Sequence, residues 1–283
     1  MSYKLICLDV DGTLLNDEKR IPQPVRESLR KAYDKGIQIA LVTGRMPVAT
    51  ELVEQELSIP CIKACNAGTY ILLGEECIHS RCLPLEAARR IYEEFMAPEH
   101  LPLWIFQGRK WYVTGVDYYV ERESRIICHK PELADMEALI KGWKEQGTGP
   151  NKLLIAAEPE IICRIQDRMK VEGLSEVDMA RSADIYLEIF PRGATKGEAL
   201  EAICEKLDIR PQETMAFGDQ ELDIPMLKKA GTAIAMGNAI EELKKLADFV
   251  TESNNDSGIA FALDRYLSVS DRREHIHLLK DEE

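Results

Sequence analysis

Short apolar runs alternate with amphipathic stretches at both ends of this chain, and several of these runs stop at an acid, a hydroxyl or a glycine. Leu5-Ile-Cys-Leu8 ends in Asp9-Val-Asp-Gly12, and Val25, Leu29, Ala32 and Tyr33 then share one helical face before Gly36. Ile37 to Val42 reads as a second buried strand and Thr43-Gly44-Arg45 as its exit. Pro47 opens a helix reaching Leu57, at the position where a missing N–H is harmless. A third strand surrounds Cys61 to Ala64. Strand–helix–strand repeats of this kind pair in parallel through right-handed crossovers, and such sheets bind ligands beyond the carboxyl ends of their strands. The residues just after each strand are therefore the candidates for function.

The rhythm resumes near residue 190 with a helix from Lys196 to Leu207, a strand over Thr214 to Phe217 and the turn Gly218-Asp219. A helix from Pro225, a strand over Thr232 to Met236 and a last strand over Asp248 to Thr251 complete it. Asn238-Ala-Ile-Glu241 has the cap and third-position glutamate of a helix start. The middle has another grain. It shows helices over Leu85 to Met96 and Glu132 to Gln146, and a hairpin from Leu103 to Thr114 turning at Gln107-Gly108-Arg109. A strand (Lys152 to Ala157), a helix (Glu160 to Val171) and a strand (Asp184 to Phe190) follow. The pattern predicts a doubly wound, Rossmann-like α/β core built from residues 1–82 and 190–283, with an inserted α/β domain over 83–189. Trp104, Phe106, Trp111 and Tyr112 are expected to pack within the insertion, and the charged tail from Ser268, with His275 and His277, to be solvated.

Composition narrows the partners. Lys plus Arg number 36 and Asp plus Glu 49, so the formal charge is 36 − 49 = −13, with no basic stripe to attract nucleic acid or anionic lipid. No apolar run approaches the roughly 18 residues that span a bilayer. Met1-Ser-Tyr-Lys4 runs straight into a strand without the features of a secretory signal, so a cytoplasmic location is expected. The eight cysteines form no C-x-x-C pair and read as reduced, mostly buried thiols. Cys77, His79 and Cys82 match no zinc-ligand spacing.

The chemistry gathers at the strand ends. Asp9 and Asp11 follow the first strand, and a calcium loop is excluded because Arg20 occupies the position where its closing glutamate would stand. Two carboxylates aimed into one crevice repel each other unless a hard divalent cation such as Mg²⁺ lies between them. Asp219 and Asp223 form a second acidic pair, with Asp223 also suited to cap the following helix. Thr43 and Gly44 offer a hydroxyl and backbone N–H groups of the kind that receive phosphate oxygens. Thr195-Lys-Gly-Glu198 reads as a capping box, which puts Lys196 at a helix start where the macrodipole disfavours a cation by roughly 0.3–1 kcal/mol, so an anion is expected beside it.

In order along the chain, Asp9-Val-Asp-Gly-Thr-Leu14, Thr43-Gly-Arg45, Lys196-Gly197 and Gly218-Asp219-x-x-x-Asp223 resemble the four motifs of the haloacid dehalogenase-like hydrolases, specifically the Cof-type phosphatases. Ile224-Pro-Met-Leu227, Met236-Gly-Asn-Ala239 and an insertion between the second and third motifs, similar to that branch's substrate-covering cap, extend the likeness over the whole chain. The resemblance implies a Mg²⁺-dependent phosphomonoester hydrolase for small phosphorylated metabolites, such as sugar phosphates or phosphorylated cofactors. It makes Asp9 the nucleophile that forms an aspartyl-phosphate, and Asp11 the acid and then base. The metal would be held by Asp9, the Asp11 carbonyl and Asp219 with support from Asp223, and the phosphate by Thr43, Gly44 and Lys196. Arg45 is a substrate contact or a structural ion pair, and Asn66 a second substrate contact.

Two departures stand out. Leu222 replaces an asparagine common in relatives, removing a polar contact, and Asn66-Ala67-Gly68 stands where relatives often have Asn-Gly-Ala. A phosphomannomutase-like phosphomutase and a catalytically silent sensor of phosphorylated ligands are the competing readings; a dehalogenase has no need of Asp11.

Overall fold

A computed structural model describes residues 3–267, and the tail with His275 and His277 lies outside the described residues. The described residues separate into two compact units: residues 3–44, 50–78 and 195–267 form one, and residues 45–49 with 79–194 the other.

The first unit begins with β1 (Leu5–Leu8), α1 (Gln23–Asp34), β2 (Gln38–Val42), α2 (Pro47–Leu57) and β3 (Ile62–Cys65). β4 (Tyr70–Leu73) and β5 (Glu76–Ser80) follow, two strands for which the alternating pattern gave no signal. Through the insertion run β6 (Leu103–Gln107), β7 (Lys110–Val113), β8 (Glu132–Leu133), β9 (Lys152–Ala156), β10 (Val177–Ala183) and β11 (Tyr186–Pro191). Its helices are α3 (Leu85–Arg90), continued by a wider π-type segment over Ile91–Met96, α4 (Tyr118–Ile126), α5 (Met136–Gln146) and α6 (Pro159–Val171). The first unit then resumes with α7 (Lys196–Leu207), β12 (Thr214–Gly218), α8 (Ile224–Lys229), β13 (Thr232–Ala235), α9 (Glu241–Leu246) and β14 (Phe249–Val250).

Its sheet has the order β14-β13-β12-β1-β2-β3-β4-β5. Pairing is parallel from β14 through β3, as a Rossmann-like core requires, and β4 then adds antiparallel to β3. β1, β3, β12 and β13 are buried along their whole length, which is why they read as unbroken apolar runs. Val25 and Leu29 of α1, Val53 and Leu57 of α2, Leu200 and Ile203 of α7, and Met226 and Leu227 of α8 complete this core. From β1 the chain winds outward through β2 and β3, and from β12 the other way through β13 and β14. The adjacent β1 and β12 thus form the switch point where ligands settle in sheets of this type.

The second unit is a six-stranded sheet of order β10-β11-β9-β6-β7-β8, antiparallel except between β7 and β8. One face, with Ile105, Tyr112, Leu153 and Ile189, packs on α3, α5 and α6. The other carries Trp104, Phe106, Trp111 and Leu154 against Val120 and Ile127. Alternation along the hairpin therefore packs the aromatics into two layers, as expected. β10 and α4 escaped the sequence reading. β10 is an edge strand whose Val-Asp-Met-Ala-Arg-Ser-Ala is mostly half-exposed and shows no apolar run. The expected helix start at Glu132 is instead β8, and Asp135 caps α5 by accepting from Ala138 N at 2.9 Å.

The cap expected at Asn238 is also corrected: α9 starts at Glu241 after Ile240, with no side-chain cap. Asn238 donates from Nδ2 to the Gly12 carbonyl at 2.8 Å and accepts from Asn254 N, which leaves it no role at the helix end. No disulfide joins the eight cysteines, of which Cys7, Cys61, Cys65 and Cys204 are buried and Cys77, Cys128 and Cys163 exposed. Among the described residues no helix is long and apolar enough to cross a membrane.

Candidate active site

Asp9, Thr43 and Asp219 leave the carboxyl ends of the neighbouring strands β1, β2 and β12. The register Leu8↔Phe217 sets Asp9 level with Gly218, and Leu8↔Leu41 sets it one residue short of Thr43. Asp9, Thr43, Lys196, Asp219 and Asp223 are all buried. Lys196 Nζ donates to Asp9 Oδ1 and to Asp223 Oδ1, each at 2.5 Å. The anion expected beside this lysine is thus a pair of carboxylates. Thr195 caps α7 by accepting from Glu198 N at 3.2 Å, which fixes Lys196 at its first turn.

Asp223 does not cap α8. Its Oδ2 accepts from Asp219 N and Gln220 N, both at 2.9 Å, and so it braces the preceding turn. Asp219 accepts from Thr13 Oγ1 at 2.8 Å and from Gln220 Nε2 at 3.2 Å. Gln220, two residues before Leu222, thereby gives this turn a side-chain donor. Neither its role nor that of Thr13 was legible beforehand, because each depends on a contact between separate strand ends or on the turn's shape.

Asp9, Asp219 and Asp223 each bring a carboxylate oxygen within 4.8 Å of the others, the one such group of possible metal ligands among the described residues. The Asp11 carboxylate is not in that group; it faces outward and accepts from Lys19 Nζ at 3.1 Å. The pair that converges is thus Asp9 with Asp219, since side chains at i and i+2 after a strand need not point into the same crevice. Burial pushes the Asp9 carboxyl well above its ordinary range; Lys196 opposes this, and Asp223 and Asp219 add to it. Asp219 shifts upward for the same first reason, against the Thr13 hydrogen bond. Burial by itself would lower Lys196, but Asp223 and Asp9 outweigh it and keep the ammonium charged. Three carboxylates against one ammonium leave a surplus of negative charge on hard oxygen donors, which suits a small divalent cation.

Gly12 is required where it stands. Its φ is +86°, and a Cβ there would lie 2.4 Å from Asp219 Oδ2. Gly12→Ala should lower stability by about 2–3 kcal/mol, read by thermal unfolding, from left-handed strain plus displacement of Asp219. A loss below about 0.5 kcal/mol would show that the turn has slack.

Gly44 and Arg45 are half-buried after Thr43, and Arg45 groups with the second unit. Asn66 is fully buried, and neither end of its amide has a hydrogen-bond partner. The Asn66-Ala67-Gly68 order produces three successive left-handed residues with φ of +52°, +60° and +93°. Ala67 N donates to the Thr43 carbonyl at 2.8 Å, tying this turn to the β2 exit. Glycine at 68 is needed because a Cβ would come within 2.7 Å of the Ala199 Cβ on α7.

The family model for haloacid dehalogenase-like hydrolases matches residues 6–263. The chain belongs to that family. Its insertion falls between Thr43 and Lys196, the Cof-type arrangement. It is 30% identical over 289 residues to the 5-amino-6-(5-phospho-D-ribitylamino)uracil phosphatase YwtE of Bacillus subtilis, covering 94% of this chain and 98% of that one. It is 28% identical to the phosphatase YwpJ of the same organism, covering 93% and 100%. The crystal structure of a haloacid dehalogenase-like hydrolase from Bacteroides thetaiotaomicron aligns with a TM-score of 0.83 at 29% identity, covering 93% of this chain and 99% of that one. This haloacid dehalogenase-like protein is a phosphatase acting on phosphorylated substrates.

Proposed function

We propose that this phosphatase is a Mg²⁺-dependent phosphomonoester hydrolase for small phosphorylated metabolites, working through an aspartyl-phosphate on Asp9. The observation that carries the reading is the buried Asp9–Lys196–Asp223 linkage with Asp219 beside it, at the switch point of the sheet. Asp9 and Asp219 with the Asp11 carbonyl would hold Mg²⁺. Asp223, both of whose oxygens already accept protein donors, would support that site through its charge. When bound, the cation neutralises the meeting of an anionic carboxylate with an anionic phosphate.

Asp9 attacks phosphorus in line while Asp11 gives its proton to the departing alkoxide. Asp11, now a carboxylate, then takes a proton from the water that hydrolyses the acyl phosphate, a contribution of roughly 10²- to 10⁴-fold. Thr43, the Gly44 N–H and Lys196 hold the non-bridging oxygens, and Lys196 also keeps Asp9 in place between turnovers. Arg45 and Asn66 are proposed contacts to the rest of the substrate, Asn66 on the strength of its unpartnered buried amide. The substrates of this class include sugar phosphates and phosphorylated cofactor precursors, and the name of the YwtE relative describes a ribityl phosphate attached to a pyrimidine.

The test is phosphate release from a panel of such esters with Mg²⁺ and with chelator, including a hexose bisphosphate. Free phosphate that depends on Mg²⁺ supports the hydrolase; an isomerised monophosphate without release makes it a mutase, and binding without turnover makes it a sensor. Asp219→Asn should abolish turnover yet raise the metal-free melting temperature by about 2–4 °C, because it removes one of the crowded charges. A carboxyl group raised in the fold is penalised as pH climbs from its ordinary value to its raised one, so the gain should be small in acid and appear as pH rises above the ordinary carboxylate range. A lower melting temperature at pH 8 would count against the charge surplus.

A further inference from the structure

The turns that follow β1, β12, β13 and β14 are tied into a ring of hydrogen bonds, and Asn238, which lies outside the four motifs, links three of them. Its own turn, after β13, is fastened to the turn after β12 at both ends: Met236 N donates to the Gly218 carbonyl and Ile240 N to the Asp219 carbonyl, each at 3.0 Å. Between these anchors Asn238 Nδ2 reaches the turn after β1, donating to the Gly12 carbonyl at 2.8 Å. Its Oδ1 accepts from Asn254 N at 3.0 Å, and Asn254 Nδ2 donates to the Leu15 carbonyl at 3.0 Å. Thr13 Oγ1, donating to Asp219 Oδ1 at 2.8 Å, closes the ring. Asn238 is exposed, and water competes for an exposed amide; here both of its ends are nonetheless engaged by protein.

What adjoins the Gly12 carbonyl gives this bond its consequence. Gly12 lies against the Asp219 carboxylate, where a Cβ would come within 2.4 Å of Oδ2, and the peptide just before it carries the Asp11 carbonyl. A glycine at φ +86° is free to leave that conformation unless something outside the turn holds it. Resting on the assignment of Asp219 and the Asp11 carbonyl as Mg²⁺ ligands, we propose that Asn238 is a positioning residue that locks the Asp9–Thr13 turn against the Asp219 turn, so that their oxygens stand at the spacing a small divalent cation requires. It acts through Gly12 and touches neither the cation nor the substrate. Mg²⁺ demands near-ideal octahedral geometry with short bonds, whereas Ca²⁺ accepts longer bonds and irregular shells, so slack between the two turns costs the smaller ion more.

The experiment is calorimetric titration of the metal-free full chain with MgCl₂ and, separately, with CaCl₂. Asn238→Ala should raise the Mg²⁺ Kd about tenfold, the lower end of what supporting residues around metal ligands contribute, and the Ca²⁺ Kd by less than about threefold. Asn238→Asp keeps the acceptor for Asn254 N but sets an oxygen against the Gly12 carbonyl. Its added negative charge by itself tightens both ions, so a fall in the preference for Mg²⁺ over Ca²⁺ in this variant as well traces to the lost Gly12 bond. An unchanged preference in both variants, or an equal loss of both ions, overturns the proposal and leaves the metal assignment intact. If the wild type binds neither ion, the metal assignment falls and this proposal with it.

Discussion

Asp9→Asn is expected to lower phosphate release on the order of 10⁴- to 10⁶-fold, the scale on which covalent sites lose turnover when a reacting group is removed. The amide cannot attack phosphorus, yet nearly matches the carboxylate in shape and can still accept from Lys196. The backbone of Asp9 is held independently, its N–H on the Phe217 carbonyl at 3.1 Å and its carbonyl accepting from Leu14 N at 3.3 Å. The fold should therefore survive, and with one buried charge fewer the metal-free melting temperature should not fall. The confirming measurement pairs the rate with an acid-quenched search for phosphorylated protein, which should be present in the wild type and absent in the variant. Activity within tenfold of wild type would remove Asp9 from the nucleophile's role.

Lys196→Met should damage stability and activity together. It takes away the ammonium paired with two of the three clustered, buried carboxylates, and breaking a buried pair from one side costs about 3–5 kcal/mol. The sign with pH follows from the direction of the shifts. Asp9 already sits well above its ordinary range because of burial, and Lys196 is the group that holds it down, so without the lysine it climbs further. The folded variant then favours the protonated acid, and its stability deficit should be smallest near pH 5 and widen toward pH 8. Thermal unfolding at both values, with rates measured alongside, checks this. A deficit independent of pH would mean that lost packing of the lysine stem, rather than its charge, is responsible.

Much of the fold was legible because parallel strands buried on both faces are short continuous apolar runs. The bounds of β1, α2 and α7 coincide with those read from the sequence. What was lost has equally physical causes. β10 lies at a sheet edge, and α4 is amphipathic with Val120 as its one buried residue. The Asn238 reading failed because a capping pattern is local, whereas the asparagine serves the distant Gly12 carbonyl.

For the candidate site, the residue types and their places after strands could be read in one dimension, because a buried acid or a lysine at a helix start is out of keeping with its local surroundings. The sequence by itself determined the alternation of strand and helix, the insertion between two halves of one sheet, and the acids, hydroxyl and ammonium at the strand ends. Only the tertiary structure decided which of them meet. It joined Lys196 to Asp9 and Asp223, sent Asp11 outward to Lys19, and set Thr13 and Gln220 on Asp219. The reason is that strand periodicity sets the face on which a side chain emerges, while its direction beyond the strand end depends on turns, left-handed residues and neighbouring chain far away in sequence.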